Sequence, residues 1–321
     1  MLIATAFAAV VVLAAVPAYI TLGGHRVASI STAEALDQVA EAAVDNPLPF
    51  ARADQYQYTR SRGTYVTTAA GGYNSVTKKN TKSFSALVTN ERRAWISLDR
   101  PGALKERRVG VKWVTARDRR IAREGYDPNV LGPAGTGVTG MAPDRRYNFL
   151  GREMTRSQLE HAPTDPKVIY GLTLKRLNGA GQGPADGVWQ ALTEQLYEYS
   201  YPPAVRAGMV RALGLIPGVK TLGRMRDPLG REGIAFSREH YDERDVILFN
   251  DTNSALMYQR SSIFQKTQKF TTWPIGTITS DYLAYEQRVV DDVPTAVLNK
   301  LPKPKHRVRV GPHTNVGLVG N

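Results

Sequence analysis

Apolar residues change their period twice along this 321-residue chain, and that change restricts the folds open to it. Between Tyr56 and Val114 they fall in short segments that alternate with polar residues; from Met154 to Ile216 they recur at helical spacing; from Val219 to Val290 the alternation returns. Strands of alternating polarity build an antiparallel sheet with one covered face, and an intervening helical block is its natural cover. The expected class is α+β: a curved antiparallel sheet covered on one face by a helical block. Pattern alone leaves open whether the two groups of strands join in one sheet or form two.

Ahead of this order lies Leu2 to Gly24, a stretch without charge built from Ala, Val, Leu, Ile and Phe. About 18 or more apolar residues suffice to cross a bilayer, whereas the apolar region of a secretory signal runs to about 7–15. Length therefore points to one N-terminal transmembrane helix, with a signal peptide cleaved near Val16-Pro17-Ala18 as the alternative. Only Met1 precedes the run, and Arg26 follows it, so charge bias does not fix orientation and a short basic segment upstream is expected. The chain divides on this reading into an anchor (1–25), a single extracytoplasmic α+β domain (26–299) and a basic, disordered tail (300–321). The location that follows is the cell membrane, with a single pass.

A hydrophobic content of 42% with 22% charged residues is that of a folded protein, and the absence of Cys excludes disulfides, thiolate metal sites and a Cys nucleophile. The net charge of +13 is concentrated. Lys105, Arg107, Arg108, Lys112, Arg117, Arg119, Arg120 and Arg123, against Glu106 and Asp118, supply six of it, and Lys300, Lys303, Lys305, Arg307 and Arg309 five more. Such patches are attracted to anionic headgroups or wall polymers; the plain alternative is a solvated strand edge and a tail. Nucleic acid is not an expected partner, because no nucleic-acid-binding signature accompanies the charge.

Local signals place the elements. Ser31 with Glu34 and Thr155 with Gln158 read as capping boxes, and Pro166 after Asp165 suits a first helical position. Leu36, Val39, Ala40 and Ala43 share one helical face, as do Trp189, Leu192, Leu196 and Tyr199, and Val205, Met209, Leu213 and Ile216. Strands are expected near Tyr56 and Tyr58, Phe84–Val88, Ala94–Leu98, Val109–Val114, Val219–Arg226, Glu232–Ser237, Val246–Asn250, Ala255–Arg260, Trp273–Ile278 and Tyr282–Val290. Asp227-Pro228-Leu229-Gly230 reads as a type I turn, and Tyr126 to Asp144 as a long loop.

Candidate chemistry is sparse. Gly135-Thr136-Gly137-Val138-Thr139-Gly140 matches the dinucleotide fingerprint but lacks the strand before and helix after that the motif needs, so it reads as loop. Ser75-Val76-Thr77-Lys78 matches the Ser-x-x-Lys of wall-acting serine acyl transferases without their partner motifs. His25, His161, His240, His306 and His313 are scattered; only His240, beside Asp242, Glu243 and Asp245, has carboxylate company, and its position reads as a solvated hairpin turn. Asn250-Asp251-Thr252 is a formal glycosylation sequon at another turn. No cofactor, metal site or catalytic residue is expected.

The stretch Pro202-Pro203-Ala204-Val205-Arg206-Ala207-Gly208-Met209 through Ile216-Pro217-Gly218-Val219, followed by Asp227-Pro228-Leu229-Gly230-Arg231-Glu232-Gly233, resembles a family of uncharacterised actinobacterial single-pass membrane proteins, often encoded beside sigma factors. Pro163-Thr164-Asp165-Pro166 is similar to the same family's entry to an earlier helix. The resemblance implies a membrane helix, an outer domain and a lipoprotein-carrier-like fold whose covered apolar face holds an acyl chain. The expected function is a non-enzymatic, membrane-anchored binding module for a lipid or amphiphile, acting as envelope sensor or carrier. Its expected partners are the cytoplasmic membrane through the N-terminal helix, a lipid ligand and an envelope protein. The alternatives are a wall-acting serine hydrolase or acyl transferase using Ser75 and Lys78, and a scaffold that binds a protein through its basic face.

Overall fold

The computed structural model describes residues 30–69, 71–74, 79–97, 100–123, 131, 135–141, 147–150, 152–177, 183–266 and 273–301. The first helix, α1 (Thr32–Asp45), starts as its sequence dictates: Ser31 Oγ accepts from the Glu34 amide at 3.2 Å while Glu34 Oε2 accepts from the Ser31 amide at 2.8 Å. β1 (Tyr56–Ala69) is followed by a small hairpin, β2 (Gly72–Asn74) and β3 (Lys79–Thr81). β4 (Phe84–Ile96) runs unbroken through two segments that pattern separates, and β5 (Gly102–Trp113) returns beside it. The charged run after it forms a helix, α2 (Ala116–Arg123), which pattern missed because only Asp118 and Ile121 are buried. Asp118 serves as its anchor, accepting from the amides of Thr115 at 3.0 Å and Ser85 at 2.9 Å.

β6 (Thr136–Met141) emerges inside the expected long loop, and β7 (Tyr147–Phe149) pairs with β8 (Arg152–Met154). Four helices follow: α3 (Arg156–Glu160), with the expected capping box at Thr155, α4 (Pro166–Leu177), α5 (Pro184–Glu198) and α6 (Pro203–Leu213). The chain then runs as a meander of β9 (Lys220–Arg226), β10 (Glu232–His240), β11 (Glu243–Phe249) and β12 (Leu256–Ile263). β13 (Ile278–Val290) and a short α7 (Thr295–Leu298) close the described part. The strand expected at Trp273–Ile278 is instead mostly a turn, with Gly276 at φ +85°.

One nine-stranded sheet results, in the order β6-β5-β4-β1-β13-β12-β11-β10-β9, with every pair antiparallel. β13 joins the two strand groups, pairing Tyr56 with Val290 on one side and Tyr258 with Leu283 on the other.

The expected architecture is corrected on two points. Among the described residues no helix is long and apolar enough to cross a membrane, and the stretch on which the transmembrane helix was placed, 1–25, lies outside them. Nor is the cover a single helical block on one face. α1 and the helices from α3 to α6 bury their apolar sides with Ile234, Phe236, Ile247 and Phe249, over one half of the sheet. At the far end of the same face, α2 places Ile121 on Phe84 and Ala69. On the reverse face, Val293 and α7 cover Tyr56, Tyr58 and Trp95, and Ala235, Leu248, Met257, Tyr258 and Leu283 form a further cluster. The reason is width: nine strands at about 4.8 Å span roughly 40 Å, whereas packed helices lie only about 8–10 Å apart. The central strands are left without helical cover on the α5 side.

The motifs that carry the family resemblance serve packing. A Cβ on Gly208 would lie 2.2 Å from the Thr164 carbonyl oxygen, so glycine is what lets α6 approach the entry to α4. Asp227 closes the turn before β10 by accepting from the amides of Leu229 at 2.8 Å and Arg231 at 2.9 Å, and pairs with the Arg231 guanidinium at 2.6 Å.

Candidate binding cleft

Between α5 and the uncovered centre of the sheet lies a cleft of about 940 Å³. Register decides which side chains enter it. Gly63 stands opposite both Asn90 and Tyr282, Tyr65 opposite Ser280, Ser280 opposite Ser261, and Asp245 opposite Ser261 and Arg238. Directly opposed residues share a face, so Tyr65, Ser280, Ser261, Asp245 and Arg238 form one polar row across five strands. Beside it, Phe236 and Ile247 belong to the core under the helices. The cleft therefore follows the border between a buried apolar row and a polar one.

α5 supplies the other wall. Pro184 fixes its first turn, and Trp189, Leu192 and Leu196 bury one side. Asp186, Gln190, Glu194 and Tyr197, three or four residues apart, line the cleft, and Trp189 borders both core and cleft. The rings of Tyr197 and Tyr282 meet between helix and sheet, tilted by 36° with centroids 4.5 Å apart. Desolvation raises the pKa of both phenols, that of Tyr282 to about 12, so both keep their protons at neutral pH. Burial also raises the Glu198 carboxyl, helped by the charge of Glu194.

One end of the cleft is polar. Arg238, on β10, forms an ion pair with Asp186 at the start of α5, which ties helix to sheet. His240 Nε2 meets Asp245 Oδ2 at 3.0 Å, and this hydrogen bond raises the histidine's pKa against the effect of burial. Thr279 donates to Glu243 at 2.5 Å, and the hydroxyls of Ser280 and Ser261 lie 3.0 Å apart. At the other end Asn90 Nδ2 donates to Tyr65 Oη at 2.6 Å and to Glu106 at 3.0 Å.

Four side chains of this lining carry a buried polar atom without a hydrogen-bond partner: Asn90 Oδ1, Trp189 Nε1, His240 Nδ1 and Asp245 Oδ1. Trp189, Asp245 and Asn90 are 2%, 5% and 8% exposed. An orphaned buried polar group costs about 1–3 kcal/mol, so these four, divided between helix and sheet around one cleft, are hydrogen-bonding capacity that the fold does not use.

Among the residues singled out from sequence, His240 comes to the cleft. It does stand at a hairpin, but its ring is largely shielded, with 15% of the side chain exposed, and is held by Asp245. Asp242, in the turn itself, is fully buried. Ser75, Lys78, His25, His306, His313 and the tail from 302 lie outside the described residues. His161 caps α3, its Nδ1 2.7 Å from the Ser157 carbonyl. Gly135 to Gly140 makes up most of β6, an edge strand paired to β5, and the next described element is the strand β7. Asn250 accepts from the amide and hydroxyl of Thr252, as a turn residue does. No group of three or more His, Cys, Asp or Glu able to hold a metal occurs among the described residues.

Sequence reading missed Tyr65, Asn90, Trp189, Tyr197 and Tyr282 as site residues because they come from four elements. The available signal was polarity on both faces at the centre of β1, β12 and β13, where Ser61, Gly63, Ser261 and Ser280 occupy positions that a covered strand fills with apolar residues.

No family model matches the chain, and no curated protein matches it. Among solved structures it is similar to a crystal structure described as an outer membrane lipoprotein-sorting protein domain from Vibrio parahaemolyticus. The alignment covers 83% of this chain and 97% of that one, at 8% identity and a TM-score of 0.20. A likeness of that size carries no argument about this chain, and the reading below rests on the cleft.

Proposed function

We propose that this chain is a binding module, not an enzyme, that holds an amphiphilic ligand between α5 and the centre of the sheet. The observation that carries this reading is the cleft of about 940 Å³ whose lining residues carry four unpartnered buried polar atoms. Its volume is of the order that encloses a small organic ligand, about 300–1,000 Å³. Its lining suits a molecule with two kinds of surface. Leu177, Ala191, Trp189 and the faces of Tyr197 and Tyr282 offer apolar contact, worth roughly 0.8 kcal/mol per methylene removed from water. The serine and tyrosine row and the His240–Asp245 pair offer hydrogen bonds to a hydroxylated or amide-bearing head. The His240–Asp245 pair orients the imidazole but is not by itself a catalytic set.

Because α5 meets the sheet at β12, through the Arg238–Asp186 ion pair and through the Tyr197–Tyr282 contact, filling the cleft acts on the position of this helix. That is the movement a sensor or a carrier needs.

Native mass spectrometry of the full chain, incubated with a total bacterial polar-lipid extract, tests the reading. The expected result is one retained class of lipid mass that is lost when Tyr197→Ala and Tyr282→Ala are combined in a variant with an unchanged circular dichroism spectrum. A chain that stays bare in every extract, or one that retains lipid equally with and without the two rings, overturns it.

A further inference from the structure

The reverse face of the sheet carries a concentration of cations away from α5. Strand register puts Glu286, Arg60, Arg93 and Lys105 in one row across β13, β1, β4 and β5. The neighbouring row holds Arg62, Glu91, Arg107 and Thr136 across β1, β4, β5 and β6. Opposed residues share a face, so five cations and two acids stand together there.

The acids do not neutralise the row. Glu91 is held by Arg107 at 2.8 Å, and Glu286 by Arg288 at 2.8 Å. Arg60, Arg62, Arg93 and Lys105 form no ion pair among the described residues. Arg60 faces Arg93 directly and Arg93 faces Lys105, an arrangement in which like charges repel across the strands. The Arg60 guanidinium is held 5.2 Å over the Tyr285 ring, so it does not simply swing away. A recess of about 220 Å³ is lined by Arg60, Arg92, Arg93, Lys105 and Arg107 together with Glu91 and Thr136, so one carboxylate, already held by Arg107, stands among five cations.

We propose that this recess binds a phosphoryl-type oxyanion. Planar guanidinium forks from two strands and an ammonium from a third surround one small volume, and such forks match the oxygens of a phosphate group in paired hydrogen bonds. The anion supplies the charge that the opposed row Arg60, Arg93 and Lys105 lacks. A single carboxylate would offset less of that charge and has two oxygens to share among the donors. The size of the recess limits the recognised group to one or two phosphoryl units, free or at the end of a lipid.

The test titrates the full chain calorimetrically with inorganic pyrophosphate. In parallel, its co-sedimentation with phosphatidylglycerol vesicles is compared with that on phosphatidylcholine vesicles. Arg93→Gln with Lys105→Gln is the site variant; Arg117→Gln with Arg119→Gln, on α2, removes the same charge elsewhere. The site variant is expected to weaken binding at least about ten-fold, and the control to change it less than about two-fold. Raising salt to about 0.3 M weakens binding by the wild type. Without anion the site variant melts no lower than the wild type, because removing opposed like charges relieves repulsion, and it loses the stabilisation that pyrophosphate gives. Binding of pyrophosphate assigns the site to soluble phosphoryl groups; binding to anionic vesicles alone, lost in the site variant, assigns it to a lipid headgroup; both support the proposal. Equal losses in the two variants, or no binding in either arm, overturn it. Should the double variant fail to fold, Lys105→Gln alone carries the same comparison with a smaller loss.

Discussion

Arg206 and Ser254 are joined twice in the interior: the guanidinium, 1% exposed, donates from Nε to Ser254 Oγ at 2.9 Å and from Nη2 to the Ser254 carbonyl at 2.6 Å. A third bond runs from Nη1 to the Leu196 carbonyl at 3.0 Å, and no carboxylate pairs with Arg206 among the described residues. Burial lowers its pKa to about 10, which leaves it charged at neutral pH. This contact fastens α6 to the end of α5 and to the turn between β11 and β12, with carbonyl dipoles in place of a counter-ion. Arg206→Met should therefore cost about 2–4 kcal/mol, because it strands buried acceptors. At Ser254 the backbone has φ +57°, a left-handed conformation that glycine adopts without strain. Ser254→Gly should cost less than Ser254→Ala, which loses the hydroxyl and keeps the strain. Urea unfolding of the three variants checks this order; an Arg206→Met protein as stable as the wild type would contradict it.

Gly208→Ala is expected to destabilise by about 1–3 kcal/mol or more, since the new methyl meets a backbone carbonyl that no rotamer can move. Gly171, on α4, has nothing within 4 Å of its missing Cβ, and Gly171→Ala should be neutral or stabilising by up to about 1 kcal/mol. Thermal melts of the pair give opposite signs if α6 and the entry to α4 approach as described.

His240 titrates above its ordinary value because its hydrogen bond to Asp245 favours the charged ring, with Asp186 and Glu243 adding to the attraction and burial opposing it. The folded state thus holds its proton more firmly than the unfolded chain. The stability from this pair is fully present below the unfolded pKa of about 6.5, and is lost as pH rises through the higher folded value. His240→Gln should flatten that part of the stability profile. An NMR titration of the ring that gave a value below 6.5 would refute the arrangement, in which Asp245, Asp186, Glu243 and the cationic Arg238 all stand near the imidazole.

Glu198 has the opposite sign. Its carboxyl is raised by burial and by Glu194, so the folded state favours the protonated form. The cost is absent below the unfolded pKa near 4.5 and complete above the folded one. Glu198→Gln should raise the melting temperature at pH 7 and have no effect near pH 4. Equal stabilisation at both pH values would show that repacking, not ionisation, explains it.

Local chemistry was legible residue by residue. The capping boxes at Ser31 and Thr155, the proline opening α4 and the turn at Asp227 to Gly230 all stand where the sequence places them. Several elements were not, among them α2, because its exposed arginines leave too small an apolar stripe, β6, because glycine-rich edge strands carry no alternation to read, and the hairpins β2–β3 and β7–β8, whose strands are only three residues long. His240 was visible as the one histidine with carboxylate neighbours, but its shielding was not, because α5 approaches it from more than 40 residues earlier in the chain.

What the sequence determined by itself is therefore whatever a few neighbouring residues can decide: where helices begin, where turns fall, and which stretches alternate. These depend on hydrogen bonds and steric limits within one or two turns of backbone. The cleft and the cationic recess were decided only by the tertiary structure. Both depend on register, which brings Tyr65 beside Ser280 and Arg60 beside Arg93 across strands far apart in sequence. A slip of one residue would send each row to the opposite face, and what prevents it is the burial of Phe236, Ile247 and Trp95 on their proper sides of one sheet.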